Sequence, residues 1–340
     1  MNREQALARI AELSTKGREL LGVDHAVLGG AMTWVSERNL VAAISNAGGF
    51  GVVACGSMTT DLLRTEIRAT KALTDKPFGV NLIVMHPDLM DLIEVCGEED
   101  VGCVVLAGGI PPHAAMRRVE ELGAVLIGFA PALPIAKKLL RDGADALVVE
   151  GSEAGGHIGP VSTSVLAQEI LPNVGDAPVF VAGGIGRGEA MLAYLEMGAA
   201  GCQLGTRFVC ASESIAHADF KKAFIKAAAR DAMPSVQVDP RFPVIPVRAL
   251  QNDGQRNFVE AQYAVIAKFR AGELDQKAAQ LEIEHFWAGA LRRAVVDGDV
   301  ESGSLMAGQS VGMIKREQPT AEIIAELLDE AAEALMRRAE

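Results

Sequence analysis

The residues best suited to chemistry lie in one glycine-rich segment that follows a short apolar run. The segment reads Glu150-Gly151-Ser152-Glu153-Ala154-Gly155-Gly156-His157. Imidazole changes its charge near neutral pH, which suits it to acid–base chemistry, so we take His157 as the candidate catalytic residue. The competing interpretation is a structural or merely solvated loop histidine. Its glycine run and its position favour His157 over the other five histidines, which are His25, His86, His113, His217 and His285.

Two other kinds of site find little support in the sequence. Glu150 and Glu153 form a paired-carboxylate site in one interpretation, which we rank below His157. Metal-binding spacing such as H-E-x-x-H is absent, so no metal site is predicted. The five cysteines are scattered without a C-x-x-C pair, which argues against a zinc site and against a disulfide framework.

Two glycine clusters indicate a phosphate-binding site. Gly183-Gly184-Ile185-Gly186 follows one apolar run, and Gly205-Thr206 follows the next. Glycines let a backbone approach an anion closely, so that its N–H groups bind the phosphate. A tight turn is the alternative interpretation for either cluster alone. The first cluster does not match G-x-G-x-x-G, and no NAD fingerprint is visible elsewhere.

These segments need a scaffold that brings them together, and the apolar pattern predicts one. Short β-branched runs recur about every 25 residues, with helical patterns between them. Eight strands alternating with helices predict a (β/α)8 TIM barrel, whose site lies at the carboxyl ends of the strands. A doubly wound open sheet is the alternative, but it usually has five or six strands. The predicted strands are Ala26–Leu28, Gly51–Ala54, Phe78–Val84, Cys103–Leu106, Val125–Ile127, Ala146–Val149, Val179–Val181 and Gly201–Leu204. The predicted helices are Glu37–Asn46, Thr60–Leu73, Pro112–Leu122, Leu133–Arg141, Val165–Leu171 and Gly188–Met197.

The last third of the chain breaks this alternation. Residues 212–286 predict an inserted, smaller and mostly helical lid domain over the barrel mouth, with an irregular or β-like stretch at Met233–Asn257. The barrel then comprises residues 1–211 and 287–340. Amphipathic helices are predicted at its two ends, over Met1–Leu21 and Thr320–Arg338.

Composition and charge exclude several classes of function. The chain has 340 residues, of which 49% are hydrophobic and 22% charged, as is typical of a globular enzyme. Its formal charge of −12 disfavours nucleic-acid and anionic-membrane partners. A run of about 18 apolar residues and a signal-peptide pattern are both absent. We therefore expect a soluble, cytoplasmic protein that acts on a small molecule.

Six segments, taken together and in order, resemble the family of FMN-dependent TIM barrels that contains nitronate monooxygenase (2-nitropropane dioxygenase) and enoyl-ACP reductase II. They are Gly29–Val35, Ala47–Gly51, Pro77–Asn81, Glu153–Gly159, Ala182–Ile185 and Gly205–Phe208. The similarity continues through Val300–Gly312 and covers nearly the whole chain. One departure is Ala31, since many relatives have Gly-Gly-Met where this chain has Gly30-Ala31-Met32.

The resemblance implies FMN bound at the barrel mouth, with His157 matching the family's active-site histidine. By position, Ala31, Met32 and Thr33 would line the flavin, and Asn81 would hydrogen-bond it. The phosphate would be held by Gly183, Gly184, Gly205 and Thr206. The remaining cofactor-binding candidates lie in or beside the same segments and are Glu150, Gly155, Gly156, Ala182 and Gln203.

Several activities stay open within the resemblance. We favour the nitronate monooxygenase type, which oxidises alkyl nitronates with O2 to a carbonyl compound and nitrite, because no nicotinamide site can be read. In the enoyl-ACP reductase alternative, NADH or NADPH is the reductant, and Glu153–Gly159 and Val295–Gly312 look somewhat closer to this type. NAD(P)H:quinone reductases share the same motifs. A non-catalytic flavin-binding protein is the alternative from another class.

The resemblance also bears on partners. In the reductase alternative, an acidic acyl carrier protein would need a basic rim on this acidic chain. Candidates for that rim are Arg230, Arg241, Arg248, Arg292 and Arg293, although a structural salt bridge explains any single one of them better. The amphipathic terminal helix is compatible with a homodimer, which we keep as a hypothesis.

Overall fold

Eight parallel strands form the centre of the computed structural model, which describes residues 1–56 and 58–338. The barrel strands are β1 (Val27–Gly29), β2 (Gly51–Ala54), β3 (Phe78–Ile83), β4 (Cys103–Ala107), β5 (Val125–Phe129), β6 (Ala146–Glu150), β8 (Val179–Ala182) and β9 (Gly201–Leu204). Around the sheet the strand order is β1, β9, β8, β6, β5, β4, β3, β2. A parallel bridge between Leu28 and Phe50 joins β1 to β2 and completes the circle.

This architecture is a (β/α)8 TIM barrel, which confirms the predicted fold class. Each predicted strand agrees with an observed one to within two residues at either end. The buried strands carry almost continuous apolar residues, because both of their faces pack against protein. The doubly wound alternative is excluded, since the sheet closes on itself.

Alternate strand residues build two separate cores. Inside the barrel, Leu28, Val52, Val105, Val148 and Phe180 belong to one buried cluster. Their neighbours along each strand face outward and pack beneath the helices in a larger cluster. Because side chains alternate along a strand, this assignment fixes which residues at the strand ends point toward the barrel axis.

Helices cover the barrel. Those between strands are α3 (Arg38–Asn46), α4 (Thr60–Leu73), α5 (Leu89–Glu98), α6 (His113–Glu121), α7 (Leu133–Arg141), α8 (Thr163–Ile170), α9 (Gly188–Glu196) and the short α10 (Thr206–Val209). Helix α5 is absent from the predicted set, although Leu89, Leu92, Ile93 and Cys96 have helical spacing and are buried.

The terminal helices pack together beside α9. The predicted helix Met1–Leu21 is two helices, α1 (Arg3–Leu13) and α2 (Thr15–Leu21), so a single helix was wrong. They meet at Ser14, whose hydroxyl donates to the carbonyl of Ile10 at 2.9 Å. This side-chain bond competes with helix propagation. The last helix, α15 (Thr320–Arg338), packs on α1 and α9.

The inserted region has its own sheet and its own small core. Strand β7 (Gly156–His157) pairs with β11 (Val247–Leu250), which pairs in turn with β10 (Ala232–Pro234), all antiparallel. The helices here are α11 (Ala218–Lys226), α12 (Asp253–Arg270) and α13 (Gln276–His285), and α14 (Ala290–Asp297) follows beyond residue 286. Phe242, Phe258 and Ile283 belong to a buried cluster separate from the barrel cores.

Over residues 1–56 and 58–338, no helix is both long and apolar enough to cross a lipid bilayer.

Candidate active site

Polar side chains close the barrel interior at the carboxyl ends of three strands. Asn81 on β3, Glu150 on β6 and Gln203 on β9 share the inward parity of Val105, Val148 and other interior residues. They therefore lie on the interior face at the mouth. Ala182 on β8 also belongs to the interior cluster and adds a small apolar side chain to the same layer.

These polar groups are largely without hydrogen-bond partners within the part of the chain that the structure describes. The Asn81 amide donates from Nδ2 to the carbonyl of Val105 at 3.3 Å, while its Oδ1 accepts nothing from the described residues. Neither the Glu150 carboxyl nor the Gln203 amide hydrogen-bonds a described residue. None of these unpartnered side-chain atoms is fully buried, so they retain solvent access and offer donors and acceptors to a molecule bound above them.

Glu150 is a weak acid in this position. Burial in the barrel raises the pKa of its carboxyl to about 8, because the charged form loses its water there. The group is therefore mainly protonated at pH 7 and can donate as well as accept a hydrogen bond. It does not pair with Glu153, whose carboxylate accepts from the backbone N–H and the hydroxyl of Thr163 at 2.8 and 2.9 Å.

His157 lies at the end of the β6 loop, on the edge of the inserted sheet. In the β7–β11 ladder His157 is in register with Val247, and Gly156 with Arg248. The next residue, Ile158, donates its N–H to the carbonyl of Pro246 at 3.0 Å. Backbone pairing to a strand about 90 residues later in the chain therefore fixes where the imidazole stands.

His157 is exposed to solvent, and its imidazole is partly desolvated by the surrounding protein. This partial desolvation lowers its pKa below the ordinary value of 6.5. The neutral form therefore predominates at pH 7. A neutral imidazole carries one donor and one acceptor nitrogen, so it can take a proton from a substrate or orient one by a hydrogen bond.

Arg248 links the loop of His157 to the inserted sheet. Its side chain is 7% exposed, and its Nε donates to the carbonyl of Ser152 at 2.9 Å. Its Nη1 donates to the carbonyl of Ala232 at 2.5 Å. The guanidinium thus holds β10 and the β6 loop together around the Gly156–His157 strand. This structural role differs from the basic rim considered for Arg248 in the sequence.

The segment around Gly308 joins both sides of the mouth. The Gly308 N–H donates to the hydroxyl of Thr206 at 2.9 Å, and Gln309 N–H donates to the carbonyl of Glu153 at 2.9 Å. A Cβ on Gly155 would lie 2.6 Å from the Gly308 nitrogen. Gly155 therefore allows close backbone packing. The segment that contains Gly308 packs directly against the glycine loop at this point.

The β8 glycine turn presents free backbone donors at the mouth. Gly183 and Gly184 both have positive φ, +97° and +74°. Their N–H groups donate to none of the described residues, and both glycines retain solvent access. Such a turn can bind an anion through its N–H groups. Gly205 and Thr206 follow the neighbouring strand β9, which pairs with β8.

The loop after β1 borders Gly205. The thioether sulfur of Met32 lies 3.5 Å from the position of a Cβ on Gly205, and Ala31, Met32 and Thr33 are all half-buried. The buried hydroxyl of Ser36 donates to Gly30 carbonyl at 2.9 Å and accepts from Met32 N–H at 3.0 Å. The loop is thereby held beside the glycine turn.

The structure thus places the candidate residues around one end of the barrel. Three positioning residues, Ser36, Thr163 and Arg248, carry contacts that were not expected. A serine or arginine in a loop gives no sequence signal for such contacts, since their partners lie far away along the chain.

The other candidate arginines pair with nearby carboxylates. Arg241 pairs with Asp239 at 2.7 Å, and Arg292 with Asp297 at 3.0 Å. Arg293 lies 3.5 Å from Asp299, and Arg230 lies 3.9 Å from Asp231. These contacts fit the structural salt bridges that the sequence favoured for individual arginines.

The sequence is similar to known oxidoreductases over most of its length. A sequence model of nitronate monooxygenase matches residues 14–99 and 91–330. A Mycobacterium tuberculosis protein is 33% identical over 89% of this chain and 91% of its own. It is named (3aS,4S,5R,7aS)-5-hydroxy-7a-methyl-1-oxo-octahydro-1H-indene-4-carboxyl-CoA dehydrogenase. A nitronate monooxygenase of Paraburkholderia phytofirmans is 28% identical over 93% of this chain and 94% of its own.

Among solved structures, FabK from Thermotoga maritima is similar along nearly its entire length. It is 37% identical, with a TM-score of 0.86, and the match covers 95% of this chain and 98% of FabK.

Proposed function

The chain belongs to the nitronate monooxygenase family of oxidoreductases, and from this premise we propose that it is an FMN-dependent oxidoreductase of acyl thioesters. In the proposed reaction, the acyl group loses or gains two hydrogens, one at Cα and one at Cβ. The observation that carries the proposal is the position of His157, which the β7–β11 ladder fixes in the loop that follows the carboxyl end of β6, where Glu150 lies.

The relatives support a thioester substrate. The M. tuberculosis relative is named as a carboxyl-CoA dehydrogenase, and FabK is an enoyl-ACP reductase II. These two relatives are 33% and 37% identical over about nine-tenths of the chain. A thioester carbonyl acidifies the neighbouring C–H, so this substrate class needs a nearby group that holds a proton.

The residues at the mouth fit FMN. A flavin has a polar imide edge, which Asn81, Glu150 and Gln203 would meet with otherwise unpartnered groups. Its phosphate would bind the free N–H groups of Gly183 and Gly184, next to Gly205 and Thr206. When bound, FMN supplies the hydride donor and acceptor that the protein itself lacks.

In this proposal His157 accepts or donates the proton at the substrate Cα. Its imidazole takes a proton from the substrate Cα when the thioester is oxidised and returns one when an enoyl thioester is reduced. The β7–β11 pairing holds the backbone of His157 in place.

Nitronate oxidation is the second candidate function. The family match and the P. phytofirmans relative favour it. A nitronate is already an anion at the reacting carbon, so His157 would bind or orient it rather than remove a proton. NADH or NADPH is not required in that case, because the nitronate supplies the electrons and O2 is the final acceptor.

Anaerobic mixing distinguishes the two candidates. The FMN-loaded protein is mixed separately with a saturated acyl-CoA, with NADH or NADPH, and with an alkyl nitronate, while absorbance is followed at about 450 nm. Loss of absorbance with the acyl-CoA, or with NAD(P)H followed by recovery on adding enoyl-CoA, is the expected result. Bleaching by the nitronate alone would overturn the thioester proposal in favour of the second candidate.

A further inference from the structure

Trp34 has a backbone conformation that tryptophan rarely adopts. Its φ is +70°, in the left-handed region, and its side chain is 38% exposed. A bulky residue in this region is strained and persists only where its surroundings enforce it. Such strain is often found at sites that bind ligands, so the position calls for a functional explanation.

The β1 loop enforces this conformation. The N–H groups of Val35 and Ser36 both donate to the carbonyl of Met32, at 2.9 and 2.8 Å. The buried Ser36 hydroxyl bonds both Gly30 and Met32. The loop is therefore a rigid turn that projects the indole outward, directly after the residues at the barrel mouth.

A guanidinium lies over the indole. The Cζ atom of Arg292, on α14, is 5.9 Å from the centroid of the Trp34 ring. Arg292 also contacts Asp297 at 3.0 Å, but both of these side chains are about half exposed. An exposed ion pair contributes little free energy, so an incoming phosphate can replace Asp297 as the partner.

We propose that Trp34 and Arg292 form a subsite for the adenosine-phosphate part of a nucleotide-bearing substrate. The indole offers an aromatic surface on which adenine can stack, and the guanidinium binds phosphate oxygens. Coenzyme A and NAD(P)H share this chemistry. The inference rests on the proposed function, because a thioester or nicotinamide substrate brings an adenosine phosphate to the rim.

The position of the pair suits this role. Trp34 follows Thr33 directly, in the loop whose Met32 borders Gly205 at the barrel mouth. In this proposal the nucleotide of a long substrate lies at Trp34 while its reactive end lies at the mouth. The whole chain carries a charge of −12, which repels phosphates at long range. A local cation such as Arg292 offsets that repulsion where a phosphate docks.

Tryptophan fluorescence tests the subsite directly, since the chain has only two tryptophans. In a Trp287→Phe variant of the FMN-loaded protein, Trp34 is the sole tryptophan. Two probes are titrated: adenosine 3′,5′-bisphosphate carries the phosphate pattern of coenzyme A, and adenosine 2′,5′-bisphosphate that of NADPH. Saturable quenching of Trp34 is expected, and the tighter probe identifies the source.

Matched variants isolate the two side chains. Arg292→Gln should raise the Kd of the tighter probe about five- to tenfold, as for loss of one charge-assisted contact. Arg293→Gln, one residue away and paired with Asp299, should leave the Kd unchanged. Trp34→Phe with Trp287 intact should abolish saturable quenching.

Two outcomes overturn the inference: no saturable quenching by either probe, or an Arg292→Gln Kd equal to that of the parent. Both are separate from the fate of the proposed function. If an acyl N-acetylcysteamine thioester, which has no nucleotide, is turned over but neither probe binds, the subsite is refuted and the proposed function stands. If a probe binds but no thioester is turned over, the proposed function is refuted and the subsite stands.

Discussion

His157 on β7 is in register with Val247 on β11, in an antiparallel ladder that joins the barrel mouth to the inserted region. The candidate catalytic side chain is therefore not positioned by its own strand end alone. The inserted sheet holds it from the other side, and Arg248 reinforces the junction by bonding the carbonyls of Ser152 and Ala232. Changes in the inserted region should consequently reach the chemistry through His157.

Replacing His157 should remove proton transfer while leaving the cofactor site intact. For His157→Gln we expect kcat/KM with the acyl thioester to fall about 10²- to 10⁴-fold, the usual contribution of a positioned acid–base group. The FMN content should not change, because the substitution leaves the side chains of Asn81 and Gln203 and the backbone N–H groups of the β8 glycine turn unaltered. Steady-state kinetics and the absorbance spectrum provide the two measurements. A fall of less than threefold would contradict the catalytic assignment.

The pH dependence of thioester oxidation should report the same imidazole. Burial lowers the pKa of His157, so its neutral form is the working base at neutral pH. The value of kcat/KM should rise with pH through an apparent pKa below 6.5 and then level off. In His157→Gln this acidic limb should disappear. A limb that persists in the variant would assign the titration to another group.

Glu150 should make the FMN-free protein less stable as pH rises. Its folded-state pKa of about 8 exceeds the unfolded value, so the folded state binds the extra proton between about pH 4.5 and 8. Stability therefore falls with rising pH across that window. Glu150→Gln should remove this slope and raise the Tm at pH 8 by several degrees relative to the parent. Parallel slopes in thermal melts of the two proteins would refute the assignment.

The β8 glycine turn should be sensitive to a single added methyl group. Gly184 has φ +74°, and a Cβ there would lie 3.0 Å from the Cβ of Glu153. Gly184→Ala should raise the Kd for FMN about 10- to 100-fold, since one or two N–H contacts to the phosphate are displaced.

Gly198→Ala is the matched control for that substitution. Gly198 has φ +101°, so alanine is strained there too, but its Cβ would meet nothing within 4 Å. The control should lose stability without losing FMN affinity. An equal loss of affinity in both variants would mean that strain, rather than the phosphate cradle, is responsible.

Much of the barrel is predictable from the sequence because its strands are local apolar runs punctuated by glycine. The run Val179–Val181 with Gly183 and Gly184 after it predicts both a strand end and its turn. Strand β7 is different. It has two residues, Gly156 and His157, and its partner lies about 90 positions later, so no local pattern indicates it.

Some features of the candidate site can likewise be predicted from the sequence, and others depend on the three-dimensional structure. Strand parity places Asn81 and Gln203 on the inward face once the strands are known. The raised pKa of Glu150 depends on its burial in three dimensions, which the sequence does not reveal. The strained φ of Trp34 and its contact with Arg292 likewise arise from tertiary packing.

The most direct test of the account is a crystal structure of the protein loaded with FMN. We expect one flavin per chain at the barrel mouth, with its ring over Asn81, Glu150 and Gln203 and its phosphate on the N–H groups of Gly183 and Gly184. The His157 imidazole should lie on the open side of the ring, within reach of a substrate. A flavin bound elsewhere, or a mouth that stays free of flavin at saturating FMN, would contradict the central claim.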